Sequence, residues 1–489
     1  MISIRGPYSF LTVLLLVLLP GVGFTAGLGD QGLDWPSGEE LLRVLTLRDY
    51  NTRVVIIGTT LLGLAAGLVG TFLLLRKRAL LSDALSHATL PGIALAFILM
   101  TVVFGEGKNL VGLITGAAIF SVLGTASVII IQRFTRLKDD AALGVVLSVY
   151  FGLGIALLGL ATRMESGNAA GLSSFIYGKT ASMLLFDSVL IAVAALISAI
   201  FCILFFKEFS LLCFDTDYAA SQGWPVAWLD FFMMTLVVIV TVIGLQAVGL
   251  ILVVALLIIP PAAARFWTYR LSRMLFLSGI FGAISGLFGA GISALLANLP
   301  AGAVIVLTAS MIFIFSLFFG TSRGLLRVSM ERRRLKRKVR RENLLREMFE
   351  WAEGHADGSG MPELLSHNGM PFEDLRKRRS WSGTDLHRVV KELRGVGLIQ
   401  KTDGSRIVLS GAGFREAENV VRKHRLWEVY LITHADIAPG QVDWGADEIE
   451  HVLEKEIIDQ LEELLPSLQN GRMPESPHQS PHRIEAVEG

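Results

Sequence analysis

Long apolar stretches, each about the length of a bilayer-crossing helix, fill the first two-thirds of the chain. They lie near residues 8–26, 53–75, 84–104, 110–132, 143–163, 187–206, 228–246, 247–264, 275–297 and 302–320. The hydrocarbon core of a bilayer takes about 20 apolar residues of α-helix. Inside it every backbone N–H and C=O must find a partner within the chain, so runs of this length are helices. A transmembrane barrel would instead show short alternating segments, which this sequence lacks. Gly63 and Gly67, like Gly282 and Gly286, stand four apart and let helix backbones approach closely. Pro260-Pro261 reads foremost as a helix end, otherwise as a kink or a break in a helix that lines a pathway.

Beyond residue 327 the pattern becomes amphipathic. A helix is predicted over 342–353, with Leu344, Leu345, Met348, Phe349 and Ala352 on one face. Leu364-Leu365 falls in a second short helix. A third, over 384–396, has Ser382 and Thr384 as N-cap candidates and Leu386, Val389, Val390 and Leu393 as its apolar face. Leu398–Gln400 and Arg406–Leu409 flank Thr402-Asp403-Gly404, which reads as strand, turn, strand. Three helices and a hairpin make a winged helix. Residues 466–489, with four prolines and little apolar content, read as a disordered tail.

Composition agrees with this division. The chain of 489 residues is 52 % hydrophobic and only 18 % charged, with net charge +1. Soluble domains carry about a quarter charged residues. Two cysteines, Cys202 and Cys213, exclude a disulfide framework and a Cys-rich metal site. No GxxxxGK[ST] phosphate loop is present, so the chain reads as no enzyme, and any ATP hydrolysis falls to a separate ATPase subunit.

Lysine and arginine orient the helices. Arg76, Lys77 and Arg78 follow the second run. Arg133, Arg136 and Lys138 follow the fourth, Lys207 the sixth, and Arg265, Arg270 and Arg273 the eighth. Simple alternation puts these loops, and the basic stretch from Arg323, on the cytoplasmic side. The opposite loops are poor in charge, except that 28–52 carries Arg43 and Arg48. The first 27 residues read equally as a signal peptide or as a first transmembrane helix, and either leaves 28–52 extracytoplasmic. The juxtamembrane cluster 323–341 suits anionic headgroups of the lipid bilayer.

Ionisable side chains in apolar runs are costly and point to function. Asp83 and His87, at i and i+4, share one helix face. Oxygen plus nitrogen suits Mn²⁺, Fe²⁺ or Zn²⁺. Two ligands are too few for a tight site, which suits a pathway an ion must also leave. From spacing alone, an interfacial pair beside the Arg76–Arg78 cluster stays open as well.

The stretch from Arg76 to Ala88, RKRALLSDALSHA, resembles the signature of the ABC-3 family of metal-transport permeases. Further matches are Phe214–Ala219 with Gly223, Leu245–Gly249 and Ile258–Arg265. Together they span about 45–322 and define a permease domain over 53–322. The resemblance implies a second permease subunit, identical or different, a cytoplasmic ABC ATPase and an extracytoplasmic metal-binding protein. It implies that Asp83 and His87 line the metal translocation path, in a gate shared across the dimer. It places Asp215, Asp217 and Gly223 in the loop that couples to the ATPase.

The tail carries a second resemblance. The winged helix of 342–415, then Arg422–Leu431 and Ala446–Leu453, is similar to the iron- and manganese-dependent repressors of the diphtheria toxin repressor type. This implies metal-binding and dimerisation helices over 416–465. His424, Asp447, Glu450 and His451 match metal-site positions, and Glu428 and Asp443 match positions of an ancillary site. Ligands from the first repressor helix would fall near Asn343 and Arg346; asparagine is a weak ligand and arginine none. Arg388, Lys391 and Arg394 on the third helix are the candidates for DNA contact.

The expected fold is therefore an all-α polytopic membrane protein of nine or ten transmembrane helices. A cytoplasmic winged helix and helical metal-binding/dimerisation domain complete the chain. The expected function is metal import across the cytoplasmic membrane, with manganese or iron favoured over zinc because a repressor-like tail suits them. The cargo is a divalent metal and no cofactor is bound permanently, apart from a regulatory metal in the tail. The alternatives are a membrane-anchored, metal-dependent transcriptional regulator and a secondary transporter. The first leaves so many helices unexplained; the second lacks intramembrane carboxylates for a coupling ion.

Overall fold

The computed structural model describes residues 38–76, 79–104, 109–164, 180–296, 299–355, 365, 369–378, 381–400, 406–434, 457–458 and 460–461. The first apolar run and the 466–489 tail lie outside these. The chain divides after Arg327 into two compact units.

The first unit begins with α1 (Gly38–Leu45), a short helix not expected from the apolar pattern. Then come α2 (Tyr50–Leu75), α3 (Ala79–Phe104), α4 (Leu110–Phe134), α5 (Asp139–Thr162) and α6 (Leu185–Leu204). Two short helices, α7 (Phe206–Phe214) and α8 (Thr216–Ser221), lead to α9 (Val226–Val248), α10 (Leu250–Arg265), α11 (Leu271–Leu295) and α12 (Ala301–Phe319). Among the described residues eight helices are long and apolar enough to cross a membrane; α10 is apolar but shorter. The runs at 228–246 and 247–264 are separate helices because Gly249 turns the chain at φ +89°, a conformation that favours glycine.

Helix α2 is the axis of this unit. It packs against α11, α6, α10 and α9, whereas α3 packs mainly on α4 and α5. The α2–α11 contact is backbone on backbone. A Cβ on Gly63 would lie 2.1 Å from the Gly282 carbonyl oxygen, and one on Gly67 would lie 2.3 Å from that of Ser278. Two hydrogen bonds close the seam: Ser278 Oγ donates to the Gly67 carbonyl at 2.6 Å and Thr59 Oγ1 to the Gly286 carbonyl at 3.2 Å. Lipid gives helices no hydrophobic drive to associate, so this close approach and its hydrogen bonds do that work.

The prolines depart from expectation. Pro260 and Pro261 lie inside α10, which runs on to Arg265. Pro261 has no N–H to offer the Leu257 carbonyl four residues back. That carbonyl faces Gly70 of α2, where a Cβ would lie 2.1 Å from its oxygen. The bare backbone of Gly70 thus lies close against the carbonyl that Pro261 leaves without its helical donor.

The second unit is built on α13 (Leu325–His355), which starts in the basic cluster and continues as the expected first helix. The stretch 323–341, read as a linker, is helical because no glycine or proline interrupts 325–353. Next come β1 (Met370–Pro371), α14 (Phe372–Arg378), α15 (Gly383–Gly395), β2 (Arg406–Ile407) and α16 (Gly411–His434). Ser382 is the cap of α15, its side chain accepting from the Asp385 N–H at 3.2 Å. The two segments read as the wing's strands meet where they are described: Ile399 bridges Leu409, and Gln400 N donates to the Val408 carbonyl, while the turn at 402–404 lies outside the described residues. A strand not read from sequence, β1, pairs antiparallel with β2 in the register Met370–Ile407. Leu344, Leu345, Met348 and Phe349 of α13 meet Leu386, Val389 and Leu393 of α15 and Ala417 and Val421 of α16 in one core.

Gly63→Ala, or Gly282→Ala, must push α2 from α11. Overpacking of this kind costs about 1–3 kcal/mol, so a lower midpoint of thermal unfolding in detergent is expected. Gly144→Ala, where nothing lies within 4 Å of the new methyl, is expected to leave the midpoint in place.

Candidate metal pathway and repressor-like cluster

Asp83 and His87 lie one turn apart near the start of α3. The helical repeat puts them on one face, with His87 Nε2 3.5 Å from Asp83 Oδ1. The His87 side chain is 18 % exposed and that of Asp83 33 %, so the pair is open enough to be reached yet partly desolvated. The His87 ring and that of Phe151 of α5 meet edge to face, with centroids 4.8 Å apart. Its second nitrogen, Nδ1, is buried with no hydrogen-bond partner among the described residues. An imidazole held by packing, beside a carboxylate and with an unsatisfied buried nitrogen, is suited to exchange partners with a passing cation. Among the described residues no group of three or more His, Cys, Asp or Glu is placed to hold a metal ion. Among the described residues one chain thus offers two donors here.

The other expected residues of this unit fall in the connection from α7 to α9. Asp215 caps α8, its Oδ1 accepting from the Tyr218 N–H at 2.8 Å. Asp217 lies exposed in the first turn of α8. Gly223 has φ +80° and turns the chain out of α8. Exposed aromatic rings surround these residues: Phe214, Tyr218, Trp224 and Trp228.

Two polar ties here have no signal in the local sequence pattern. Arg76, just after α2, donates from Nη1 to the Leu212 carbonyl of α7 and from Nη2 to Asp230 Oδ1 of α9, both at 3.0 Å. Arg76, read as part of a topology signal, thus also fastens the α7–α9 connection to the C-terminal end of α2. Cys213 Sγ donates to the Phe72 carbonyl nearby, and burial pushes its thiol up to about 12, with Asp230 adding to the shift and Arg76 opposing it. The second tie joins Gln246 of α9 to Asp187 of α6, Nε2 to Oδ1 at 3.0 Å. Asp230 and Asp187, each near one end of an apolar run, were the available clues.

In the second unit, His424 and Glu428 come together one turn apart on α16. His424 Nε2 lies 3.1 Å from Glu428 Oε1, and both are buried. Arg346 of α13 is buried against His424, Nη1 2.9 Å from its Nδ1. Asp443, Asp447, Glu450 and His451 lie outside the described residues. Arg388, Lys391 and Arg394 are all exposed on α15, opposite its buried apolar face.

Residues 48–320 match the family described as ABC 3 transport family. Residues 410–482 match the iron dependent repressor, metal binding and dimerisation domain. The chain is 35 % identical over 431 residues to the manganese transport system membrane protein MntC of Bacillus subtilis, covering 88 % of this chain and 95 % of that protein. It is 40 % identical over 287 residues to the zinc transport system membrane protein TroC of Treponema pallidum, covering 59 % of this chain and 95 % of that one. A solved structure, PsaBC from Streptococcus pneumoniae in complex with Fab, is similar at 32 % identity and a TM-score of 0.51, over 60 % of this chain and 99 % of that one. With more than half its length under one family, and with helices α2–α12 and the Asp83–His87 pair within the match, the chain belongs to the ABC 3 transport family of membrane permeases and carries a C-terminal iron-dependent-repressor domain.

Proposed function

We propose that this chain is the permease subunit of an importer that moves manganese across the cytoplasmic membrane, with Asp83 and His87 as path ligands. The observation that carries the reading is the approach of His87 Nε2 to the Asp83 carboxylate at 3.5 Å, with the ring's Nδ1 buried and unsatisfied among the described residues, on a helix of a metal-permease family. Two donors bind a divalent ion weakly, which suits a step on a path rather than storage. A second permease chain supplies the remaining ligands, so the gate is complete only in the pair. Manganese is favoured by a relative that spans both units at 35 % identity, MntC of Bacillus subtilis.

Energy comes from a separate cytoplasmic ATPase that docks on the α7–α9 connection, around Asp215, Asp217 and Gly223. Exposed Tyr218, Trp224 and Trp228 give that surface the aromatic content typical of protein interfaces. Arg76 passes movement of this connection to the α2–α3 hairpin. An extracytoplasmic binding protein delivers the ion on the opposite face. The basic loops and the second unit are cytoplasmic, and the repressor-like unit serves as a regulatory or pairing module for the permease.

The test is uptake of radioactive manganese, iron and zinc by cells expressing the chain with its ATPase and binding protein. Asp83→Ala and His87→Ala are each expected to bring manganese uptake to background. Faster entry of zinc or iron than of manganese would overturn the choice of ion; entry of none would overturn the permease reading. Arg76→Ala is expected to leave the protein in the membrane and the ATPase bound, while uptake per ATP hydrolysed falls. Truncation after Arg327 is expected to keep the order of preference among the three metals, because both path ligands precede it.

A further inference from the structure

The repressor-like unit holds a cluster whose chemistry differs from that of a metal site. Helix α13 carries Arg346 and Glu350 at i and i+4; helix α16 carries His424 and Glu428 at the same spacing. The two pairs face each other. Arg346 Nε donates to Glu350 Oε1 at 2.9 Å, and Nη1 lies 2.9 Å from His424 Nδ1. A guanidinium has five donors, no acceptor and a permanent charge. Nδ1 must therefore be the acceptor. A neutral imidazole then carries its proton on Nε2, which donates to Glu428 Oε1 at 3.1 Å. The chain of bonds Glu350–Arg346–His424–Glu428 fixes the tautomer from both sides.

These groups are well out of water. The Arg346 side chain is 2 % exposed, that of His424 3 % and that of Glu428 fully buried. A buried carboxylate is retained only beside a cation and hydrogen-bond donors. The repressor family this unit matches is described by its metal binding, and a divalent ion is the cation its description implies. The residues present here do not fit one at His424. A metal would bind the lone pair of a ring nitrogen, yet the Nδ1 lone pair is engaged by a guanidinium and Nε2 bears the proton given to Glu428. A divalent ion at Nδ1 would also stand against a charge that cannot be lost.

We propose that Arg346 is a built-in cation that takes the place of a divalent metal at Nδ1 of His424, with Glu428 held on the other ring nitrogen, so that α13 and α16 are held together around this cluster without metal. The repressor-like unit then keeps its cation-filled arrangement whatever the metal level of the cell. It serves the permease as a constant structural module rather than as a metal-gated switch.

The test is hydrogen exchange read by mass spectrometry on the full-length protein in detergent, with peptides covering 342–355 and 418–434. These peptides report on the cluster and not on Asp83 or His87, so the result stands apart from that of the uptake test. Exchange in the wild type is expected to be equal in manganese chloride and in EDTA. Arg346→Met is expected to speed exchange in both peptides by about tenfold or more as the pairing helices open. Arg346→Glu, which gives His424 and Glu428 a carboxylate in place of the guanidinium, is expected to exchange fast in EDTA and slowly in manganese. Slower wild-type exchange in manganese, abolished by His424→Ala, would overturn the proposal, because His424 would then be a ligand. Unchanged exchange in Arg346→Met would overturn it too, because the guanidinium would not be the cation that holds the helices.

Discussion

The seam between α2 and α11 is the contact on which the membrane unit rests. Apolar side chains gain nothing by leaving lipid for one another, so a bundle in a bilayer is held by what lipid cannot supply: backbone in close contact and polar groups that find partners. Gly63 and Gly67 supply the first, against Gly282 and Ser278; Thr59 and Ser278 supply the second. Once α2 is fixed to α11, its other faces set the positions of α6, α9 and α10. Its C-terminal end sets Arg76, and through Arg76 the connection that carries Asp215 and Gly223. Helices α4 and α5 stand at the periphery, and much of their apolar surface is open. Phe151, from that outer group, is the residue that reaches back to steady the His87 ring.

Polar chemistry in this chain uses helical spacing repeatedly, to different ends. Asp83 and His87 face each other across one turn and leave a nitrogen unsatisfied. His424 and Glu428 have the same spacing, but a guanidinium from another helix completes them. The two pairs differ in what the neighbouring helix brings: Phe151, packed edge to face with the ring, in one case and Arg346 with charged donors in the other. Sequence spacing alone does not tell these apart.

That contrast shows what was legible beforehand. The membrane helices were, because about 20 apolar residues in lipid have one solution. The Asp83–His87 pair was too, because its geometry is local. The seam was half legible: the glycine spacing announced a close approach, while the partner helix was not named by it. The Arg76–Asp230 and Gln246–Asp187 ties were not visible, because each joins residues far apart in the chain. The contact of Arg346 with His424 was not visible either, because it needed the packing of α13 on α16. The two prolines of α10 suggested a helix end because their local effect is destabilising. The space left by Gly70 of α2 is a tertiary fact that local propensity omits.

The native thiols have a practical consequence. Cys202 is fully buried, and Cys213 sits between α7 and α2 with its sulfur committed to the Phe72 carbonyl and its proton tightly held. The thiolate is the reactive form toward alkylating reagents. The unaltered protein is therefore a quiet background for chemical footprinting. A cysteine introduced at successive turns of α3 would be labelled against little native signal, and the rate of modification would trace which side of that helix water and ions reach during the transport cycle.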